Sequence, residues 1–212
     1  MDLRSYDGLK EAVREYLGRG DLDDKIPLFI QLAELRLNRE VRMRVMERRA
    51  TTEVQAGQTA VPLPWKRKAG DWDVFMEMRD LVWLANPPVN LTYMPPDLYA
   101  VKSAVRGLPR QYTIIGRDLF LVPAVDAGGK LILTYYAEIP PLSAEQPDNE
   151  MLITCPDLYL YAALVESGPY TRGSAPVELW TQYYSAAKQK VEEQEQRARF
   201  TSNIAMTPIR RI

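Results

Sequence analysis

The 212-residue sequence contains no histidine. Histidine is the commonest general base and metal ligand in proteins, and without it no Ser-His-Asp or Cys-His arrangement can form. The glycines also lack the G-x-G-x-x-G and G-x-x-x-x-G-K-S/T patterns that cradle phosphate groups. We therefore expect no catalytic residues, no metal or cofactor site and no enzymatic activity.

Cysteine is almost absent as well. Cys155 is the only one, so the chain cannot form an internal disulfide, which is typical of a protein made in a reducing cytosol. No apolar run is long enough to cross a bilayer, and the N-terminal stretch MDLRSYDGLKEA lacks the apolar segment of a signal peptide. We expect a soluble, unexported protein with no membrane partner.

An excess of charge of either sign is also missing. The chain has 27 Lys and Arg residues against 28 Asp and Glu residues, and its formal net charge is -1. Such a balance gives no general attraction to nucleic acid or to an anionic membrane, although local clusters can differ from the mean. The apolar fraction of 46% is close to the globular average, so the chain is predicted to fold around one core or two small ones.

Two helical segments near the C-terminus form the strongest pattern that is present. The first begins at Thr154, has Pro156 in its opening turn, and is apolar nearly all the way round, which predicts neighbours on several sides. The second begins near Pro176. Its aromatic half is predicted to pack, with Trp180 between the two helices, whereas the charged half beyond Ala187 is predicted to project. The residues predicted to serve the core and a subunit interface are Tyr159, Tyr161, Trp180, Tyr183 and Tyr184.

The N-terminal region also has helical periodicity. A short amphipathic helix ends at Gly18, and a long helix that begins near Ile26 is predicted to continue to Arg49. Arginines crowd its second half, and guanidinium groups can neutralise DNA phosphates without reading bases. Interspersed glutamates favour instead an ion-paired helix face, or a rim that meets a neighbouring subunit. The candidate DNA-channel residues are Arg36, Arg39, Arg42 and Arg44.

From Ala50 to Ala137 the hydrophobic period becomes that of strands. Residues 50–55 and 59–63 flank a turn at Gly57 and predict a hairpin, and residues 112–115 and 118–122 predict another around Gly116. With residues 81–84, 90–94 and 130–137 they predict one small antiparallel sheet of about six strands. A short helix is predicted within residues 96–105. Residues 65–78 fit no single pattern, and the basic stretch at 65–68 is interpreted as an exposed turn or a contact site.

These patterns together predict an α+β fold. A helical bundle made by the N-terminal and C-terminal helices would contain an inserted, small antiparallel β subdomain. The predicted boundaries assign residues 1–49 and 144–200 to the helical domain, residues 50–143 to the β subdomain, and residues 201–212 to an extended tail. The tail reads TSNIAMTPIRRI, and Pro208 together with its turn-forming residues makes it too short and too broken to fold alone.

Four segments, taken in order, resemble the head-to-tail adaptor (connector) proteins of tailed bacteriophages. DLDDKIPLFIQLAELRLNREVRMRVME at 21–47 looks like their first long helix. GLPRQYTIIGRDLFLVPAV at 107–125 resembles their G-x-P-x-Y-x-I-x-G-x-x-L-x-L-x-P segment. TYYAEIPPLS at 134–143 resembles the strand that follows, and PDLYLYAAL at 156–164 resembles the C-terminal helical block. Each motif alone is an ordinary packing pattern, and their shared order carries the resemblance.

The resemblance implies a structural protein of the phage virion. About a dozen copies would form a ring beneath the portal protein and extend the channel through which double-stranded DNA passes without sequence-specific binding. The β subdomains would face the next tail component, a nozzle or a stopper, and the protein would lie in the phage neck after assembly in the host cytoplasm. Because tails in that family dock on the portal, the expected portal-binding residues are Ile204, Met206, Ile209, Arg210, Arg211 and Ile212.

Two other functions remain open at this point. A DNA-binding packaging factor would use the arginine-rich helix face between Arg36 and Arg49, and its binding would depend steeply on salt. A metal-dependent nuclease would hold Mg²⁺ with Asp71 and Asp73, although adjacent carboxylates of this kind are more often solvated or capping.

Overall fold

A computed structural model describes residues 2–99, 105–171, 173 and 175–200. The chain divides into two compact units. The helical unit consists of the described residues from 2 to 46 and from 139 to 200, and the β unit consists of those from 47 to 138. The predicted α+β class, with helices on both sides of an inserted β region, is confirmed. No helix in the described ranges is long and apolar enough to cross a membrane.

The helical unit begins with two helices, α1 (Tyr6–Leu17) and α2 (Ile26–Glu40), joined by the 3-10 helix Gly20–Lys25. The Ser5 hydroxyl accepts the Gly8 N–H at 3.2 Å and caps α1, and Gly18 ends α1 with a φ of 60°. Both helices bury an apolar face, so the periodicity of the sequence predicted their existence correctly.

The predicted continuation of α2 to Arg49 is wrong. Val41 is extended, with φ -117° and ψ 141°, a 3-10 turn follows at Arg44–Met46, and Glu47 begins a strand. Every residue of that strand pairs with a residue between 129 and 136. Because these long-range backbone pairs stabilise the extended chain more than helix propensity stabilises the local helix, the helical pattern of the arginine-rich stretch is overridden.

Three helices complete this unit: α3 (Glu150–Thr154), α4 (Pro156–Glu166) and α5 (Val177–Phe200). Asn149 caps α3 by accepting the Leu152 N–H at 2.8 Å, whereas Thr154, the expected cap of the next helix, is the last residue of α3. The apolar α4 packs against the other four helices, as its all-round hydrophobicity predicted.

The prediction that the charged half of α5 projects is wrong. The buried stripe that begins at Trp180 and Tyr184 continues through Ala187 and Val191 to Glu195. A buried carboxylate requires partners. Glu195 receives them from Arg44, whose backbone N–H and Nε lie 3.1 Å and 3.3 Å from Glu195 Oε2. The helix therefore packs along most of its length.

The β unit contains nine strands in its described part. They are β1 (Glu47–Val54), β2 (Ala60–Pro62), β3 (Trp65–Lys68), β4 (Asp71–Leu84), β5 (Val89–Asn90), β6 (Thr92–Tyr93), β7 (Gln111–Ile115), β8 (Asp118–Val122) and β9 (Gly129–Ala137). One sheet has the order β1-β9-β4-β3, with β5 also paired to β4. The other has the order β2-β8-β7-β6. Every pair is antiparallel except β6 with β7.

The β unit corrects two predictions about its sheets. There are two sheets rather than one, and residues 50–55 and 59–63 do not form a hairpin because β1 pairs with β9 and β2 pairs with β8. Gly57 has a φ of 77°, so the turn exists, but it leads the chain from one sheet to the other. The β7-β8 hairpin around Gly116 is confirmed. Residues 65–78, which fitted no pattern, form β3 and the first part of β4.

A single apolar core stabilises the β unit. Its buried members come from both sheets and include Val54, Leu81, Leu119, Leu131 and Tyr135. Trp83 packs so closely over Gly129 that a Cβ at position 129 would overlap the indole ring. Of the helix expected within residues 96–105, Pro96–Leu98 forms a 3-10 turn and residues 100–104 lie outside the described ranges.

Candidate interaction surfaces

The first candidate DNA-channel residue, Arg36, is held by carboxylates within the helical unit. Its Nε lies 2.6 Å from Glu166 Oε1 on α4, and its Nη1 lies 3.8 Å from Glu40 Oε1 on α2. The guanidinium also lies over the Tyr184 ring, 5.6 Å from its centroid. A cation that already interacts with two carboxylates has less charge to offer a phosphate group.

Of the other three arginines, Arg39 shares a face of α2 with Arg36, and Arg42 and Arg44 do not lie on that helix. Arg42 and Arg44 follow the end of α2, and the Nη1 atom of Arg42 donates to the Asn38 and Val41 carbonyls at 2.8 Å each. Arg44 contacts Glu195 on α5. Arg39 is exposed and lines a depression of about 280 Å³ beside Leu32 and Leu35. Arg36, Arg42 and Arg44 therefore serve mainly to link and cap elements of this unit.

Glu40 connects α2 to α5. Its Oε2 accepts the Tyr184 hydroxyl at 2.9 Å and contacts Lys188 Nζ at 3.2 Å. Burial alone would raise the pKa of the Glu40 carboxyl, but these hydrogen bonds favour its charged form and lower the pKa on balance. Burial, followed by the hydrogen bond to Glu40, raises the pKa of Tyr184. This contact stabilises the pairing of the two helices.

The residues predicted to serve a subunit interface divide into two groups. Tyr159, Trp180 and Tyr184 are buried inside the monomer. Tyr161 and Tyr183 stack at its surface, with their ring centroids 5.2 Å apart, and Tyr183 is 45% exposed. Tyr159, Trp180 and Tyr184 thus lie beneath the surface of the monomer, and Tyr161 and Tyr183 lie at the surface.

A surface aromatic that the sequence prediction missed lies beside Tyr161. Tyr16 on α1 is 51% exposed. Burial, and then interaction with the Tyr16 hydroxyl, raise the pKa of Tyr161. Tyr16 follows the apolar period of α1, and periodicity alone does not show where the packed face of a helix ends. We refer to Tyr16, Tyr161 and Tyr183 as the tyrosine patch.

A buried carboxylate lies at the centre of the helical unit. Glu34 is 5% exposed, and its Oε1 accepts the Leu142 N–H at 2.7 Å and the Tyr159 hydroxyl at 3.4 Å. Asn149 Nδ2 donates to the same Tyr159 oxygen at 2.9 Å. Burial raises the pKa of Glu34 to about 7 although both hydrogen bonds favour the charged form. This cluster links α2, α4 and the segment before α3.

The two aspartates considered for Mg²⁺ have other partners. Asp73 accepts the Tyr135 hydroxyl with both carboxylate oxygens at 2.8 Å, and Asp71 contacts Lys66 Nζ at 3.3 Å. Within the described ranges, no three His, Cys, Asp or Glu residues lie close enough together to hold a metal ion. Cys155 is buried, and burial together with the charges of Asp157 and Glu195 raises the pKa of its thiol to about 11. It therefore stays protonated at neutral pH.

The predicted portal-binding tail, residues 201–212, lies outside the described residues. Residues 65–68 were interpreted as an exposed turn or a contact site. They form the strand β3 rather than a turn, and all four side chains are exposed.

Comparison with known proteins complements this geometry. A search of curated proteins found no match. The sequence model of the family described as SU10 adaptor protein matches residues 4–211, a range that includes both units. This match confirms the resemblance to the phage head-to-tail adaptors, and the chain belongs to the SU10 adaptor protein family.

Proposed function

We propose that this bacteriophage adaptor is a structural head-to-tail connector. About twelve copies form a ring under the portal, extend the channel for double-stranded DNA, and offer their β units to the next tail component, a nozzle or a stopper. The observation that carries the proposal is the family match over residues 4–211. The protein assembles in the host cytoplasm and remains in the virion neck. It acts by assembly rather than by catalysis.

The tyrosine patch supports ring formation. Tyrosine is enriched at protein interfaces because its ring buries apolar area while its hydroxyl keeps a polar partner. Two exposed tyrosines stand at this surface beside the less exposed Tyr161, and buried Trp180 and Tyr184 form part of the core of the same unit. In a ring the contact is heterologous, so the patch of one copy meets a different surface of the next.

Negative-stain imaging and sedimentation velocity, with and without the purified portal, test the ring. Replacing Tyr16 and Tyr183 together with serine should abolish ring formation and leave the melting temperature within about 2 °C of the parent, since both side chains are exposed. Tyr93→Ser is the matched control because Tyr93 is an exposed tyrosine of the β unit. Rings formed equally well by the double variant and the control would contradict the role of the patch.

The tail is the proposed portal-docking element. Ile204, Met206, Ile209 and Ile212 supply apolar anchors or strand positions, and Arg210 and Arg211 supply charges for portal carboxylates. A chain that ends at Phe200 should keep its melting temperature and lose co-sedimentation with portal-bearing heads. A variant with alanine at both arginines should bind these heads more weakly than the full chain. Attachment of the truncated chain at full-length levels would assign docking to another segment.

Contact with DNA in the channel is proposed to be weak and unspecific. Arg36 and Arg44 already interact with Glu166 and Glu195, and the net charge of the chain is -1. The isolated protein should therefore bind duplex DNA with a Kd above about 1 µM at about 150 mM salt in fluorescence anisotropy. Submicromolar binding under these conditions would instead support the DNA-binding packaging factor.

A further inference from the structure

The β unit carries a stack of arginine and tryptophan side chains that the proposed function has not used. The Arg117 guanidinium lies 3.7 Å from the centroid of the Trp65 ring, and that of Arg67 lies 4.6 Å from the same centroid. Arg67 is also 5.8 Å from the centroid of the Trp72 ring on β4. We refer to these four residues as the Trp65 stack. Cation-π contacts of this kind hold long, flexible arginines in place.

Backbone hydrogen bonds bring the members of the stack together. The Leu63 N–H donates to the Arg117 carbonyl at 2.9 Å, and the Phe75 N–H donates to the Pro64 carbonyl at 3.0 Å. Arg117 itself lies in the tight β7-β8 turn, where Gly116 has a φ of 64°. The stack is therefore positioned by the sheets before any partner arrives, which lowers the entropic cost of binding.

The stack presents unmatched positive charge beside an exposed ring. Trp65 is 41% exposed. Lys66 contacts Asp71 at 3.3 Å and Arg67 contacts Glu138 at 3.4 Å. For Arg117, no carboxylate lies within 4 Å in the part of the chain that the structure describes. Arg117 and the Trp65 indole thus form a surface whose outer cation has no carboxylate partner among the described residues.

Protection of a sheet edge explains only part of this surface. Lysine and arginine on an edge strand such as β3 prevent it from pairing with other chains. That role requires neither an exposed tryptophan nor an arginine from a different hairpin that stacks on it. A guanidinium that stacks on a ring keeps its N–H edge free to bind a carboxylate in the guanidinium plane. Tryptophan and arginine are also the residues that most often dominate binding energy at protein interfaces.

We propose that the Trp65 stack is a docking surface for a protein partner that presents a carboxylate beside an apolar side chain. The carboxylate binds Arg117, and the apolar side chain covers Trp65. This inference rests on the proposed function, in which the partner is part of the next tail component.

Charge argues against DNA, and against a second copy of this chain, as the occupant of the Trp65 stack. DNA requires several free cations along its backbone, whereas Lys66 and Arg67 are already matched by Asp71 and Glu138. The edges of the larger sheet are formed by β1 on one side and by β3 and the two-residue β5 on the other. Both β1 and β3 carry consecutive basic residues, so pairing β1 of one copy with β3 of another would place like charges together.

An in vitro head-to-tail joining assay tests the proposal. Heads that carry the portal but lack the adaptor are mixed with the full-length adaptor and with tails of the same phage. Co-sedimentation measures adaptor retained on heads, and electron microscopy counts heads with tails. The test variant is Arg117→Glu. The matched control is Arg110→Glu, which changes another exposed arginine of the same unit by the same charge.

We expect the test variant to be retained on heads like the parent and to join tails at least about tenfold less efficiently, while the control joins them normally. Tail joining by the parent should also fall as salt rises. Tail joining by the test variant at the control level would overturn the inference. A parent protein that is not retained on heads would overturn the proposed function instead, so the two failures are distinguishable.

Three further results would assign the surface to another occupant or keep the test valid. Loss of ring formation or of head retention by the test variant alone would identify a contact between copies or with the portal. Loss of duplex DNA binding by the test variant alone, at about 50 mM salt, would identify DNA.

If the test variant does not fold, Arg117→Lys replaces it, because lysine keeps the charge but lacks the planar fork. Unchanged tail joining by Arg117→Lys and Trp65→Ala would then overturn the inference.

Discussion

The helical unit and the β unit bury polar groups to very different extents. In the described part of the chain, the helical unit buries Glu34, Asn149, Ser167, Thr171 and Glu195, whereas the β unit buries one polar residue, Thr113. The cores of both units are otherwise apolar.

The difference follows from how each kind of element satisfies its backbone. A helix makes its hydrogen bonds internally, so nothing in its backbone fixes its position against a neighbouring helix. Side chains such as Glu34, Glu40 and Glu195 supply that position through bonds between elements. Strands are fixed by backbone pairs, and eight consecutive pairs set the register of β1 against β9. Polar side chains should therefore contribute more to stability in the helical unit than in the β unit.

The largest effect is expected from the apolar packing of the helical unit. Trp180 is 3% exposed, and Trp180→Ala should lower the free energy of unfolding by about 3 to 5 kcal/mol through the cavity it leaves. The neighbouring Leu179 is exposed, so Leu179→Ala should change stability by less than about 1 kcal/mol. Chemical denaturation measures both variants. Equal, small effects would show that this packing does not hold the unit together.

A somewhat smaller effect is expected from Glu34 and should depend on pH. The unfolded carboxyl has its usual pKa near 4.5, and burial raises the folded pKa to about 7. Between pH 4.5 and pH 7, the Glu34 carboxyl is deprotonated in the unfolded chain and protonated in the folded chain. The free energy of unfolding should therefore fall as pH rises from 4.5 through 7, by a contribution on the order of 3 kcal/mol.

Glu34→Gln provides the control for this pH dependence. The amide keeps the shape and an oxygen for the Leu142 N–H but does not titrate. The difference in unfolding free energy between parent and variant, measured from pH 4 to pH 8.5, should favour the variant increasingly as pH rises. Parallel curves for the two proteins would mean that the Glu34 carboxyl does not titrate in this range in the folded state.

In the β unit, the clearest effect is expected from a steric clash between a side chain at position 129 and Trp83. Gly129→Ala places a methyl group against the buried Trp83 ring and should cost about 2 kcal/mol of unfolding free energy, because the sheet pairs of β9 prevent the backbone from moving away. Gly128→Ala meets only backbone atoms of the β1 end at 3.2 Å or more and should cost less. An equal cost for the two substitutions would show that Trp83 can move aside.

The smallest effect is expected from the ion pair of Arg36 with Glu166. Both side chains are partly exposed, at 31% and 20%, and solvent screens the attraction. A double-mutant cycle with alanine at both positions should give a coupling free energy of about 0.5 to 1 kcal/mol. A coupling free energy larger than the contribution expected from Glu34 would reverse the order of polar effects within this unit.

Local patterns in the sequence predicted the helices better than the ends of those helices. The continuous apolar surface of α4 and the stripe of α1 follow from residue spacing alone. The end of α2 at Glu40 depends on β9, far along the chain, which pairs with Glu47–Val54. The same long-range pairing explains why the hairpin predicted around Gly57 does not form. The turn at Gly57 was predicted correctly, but β1 pairs with β9 and not with β2.

Local sequence patterns were equally unable to locate the candidate surfaces. Aromatic residues of the C-terminal block could be recognised as packing residues, but only the tertiary structure separates the buried Tyr159 from the exposed Tyr183. The contact of Trp65 with Arg117 joins two different hairpins, and no spacing rule connects them. Burial and long-range contact, rather than residue type, distinguish these sites from ordinary packing.

The pairing of Glu47 with Tyr136 also has an evolutionary consequence. Residues from the first and last strands of the β unit are direct neighbours, so the chain begins and ends this unit at adjacent points of one sheet. A segment whose two ends lie side by side can be exchanged by recombination while the flanking segments need little readjustment. This segment is therefore suited to exchange as a cassette that leaves the helices encoded on either side unchanged.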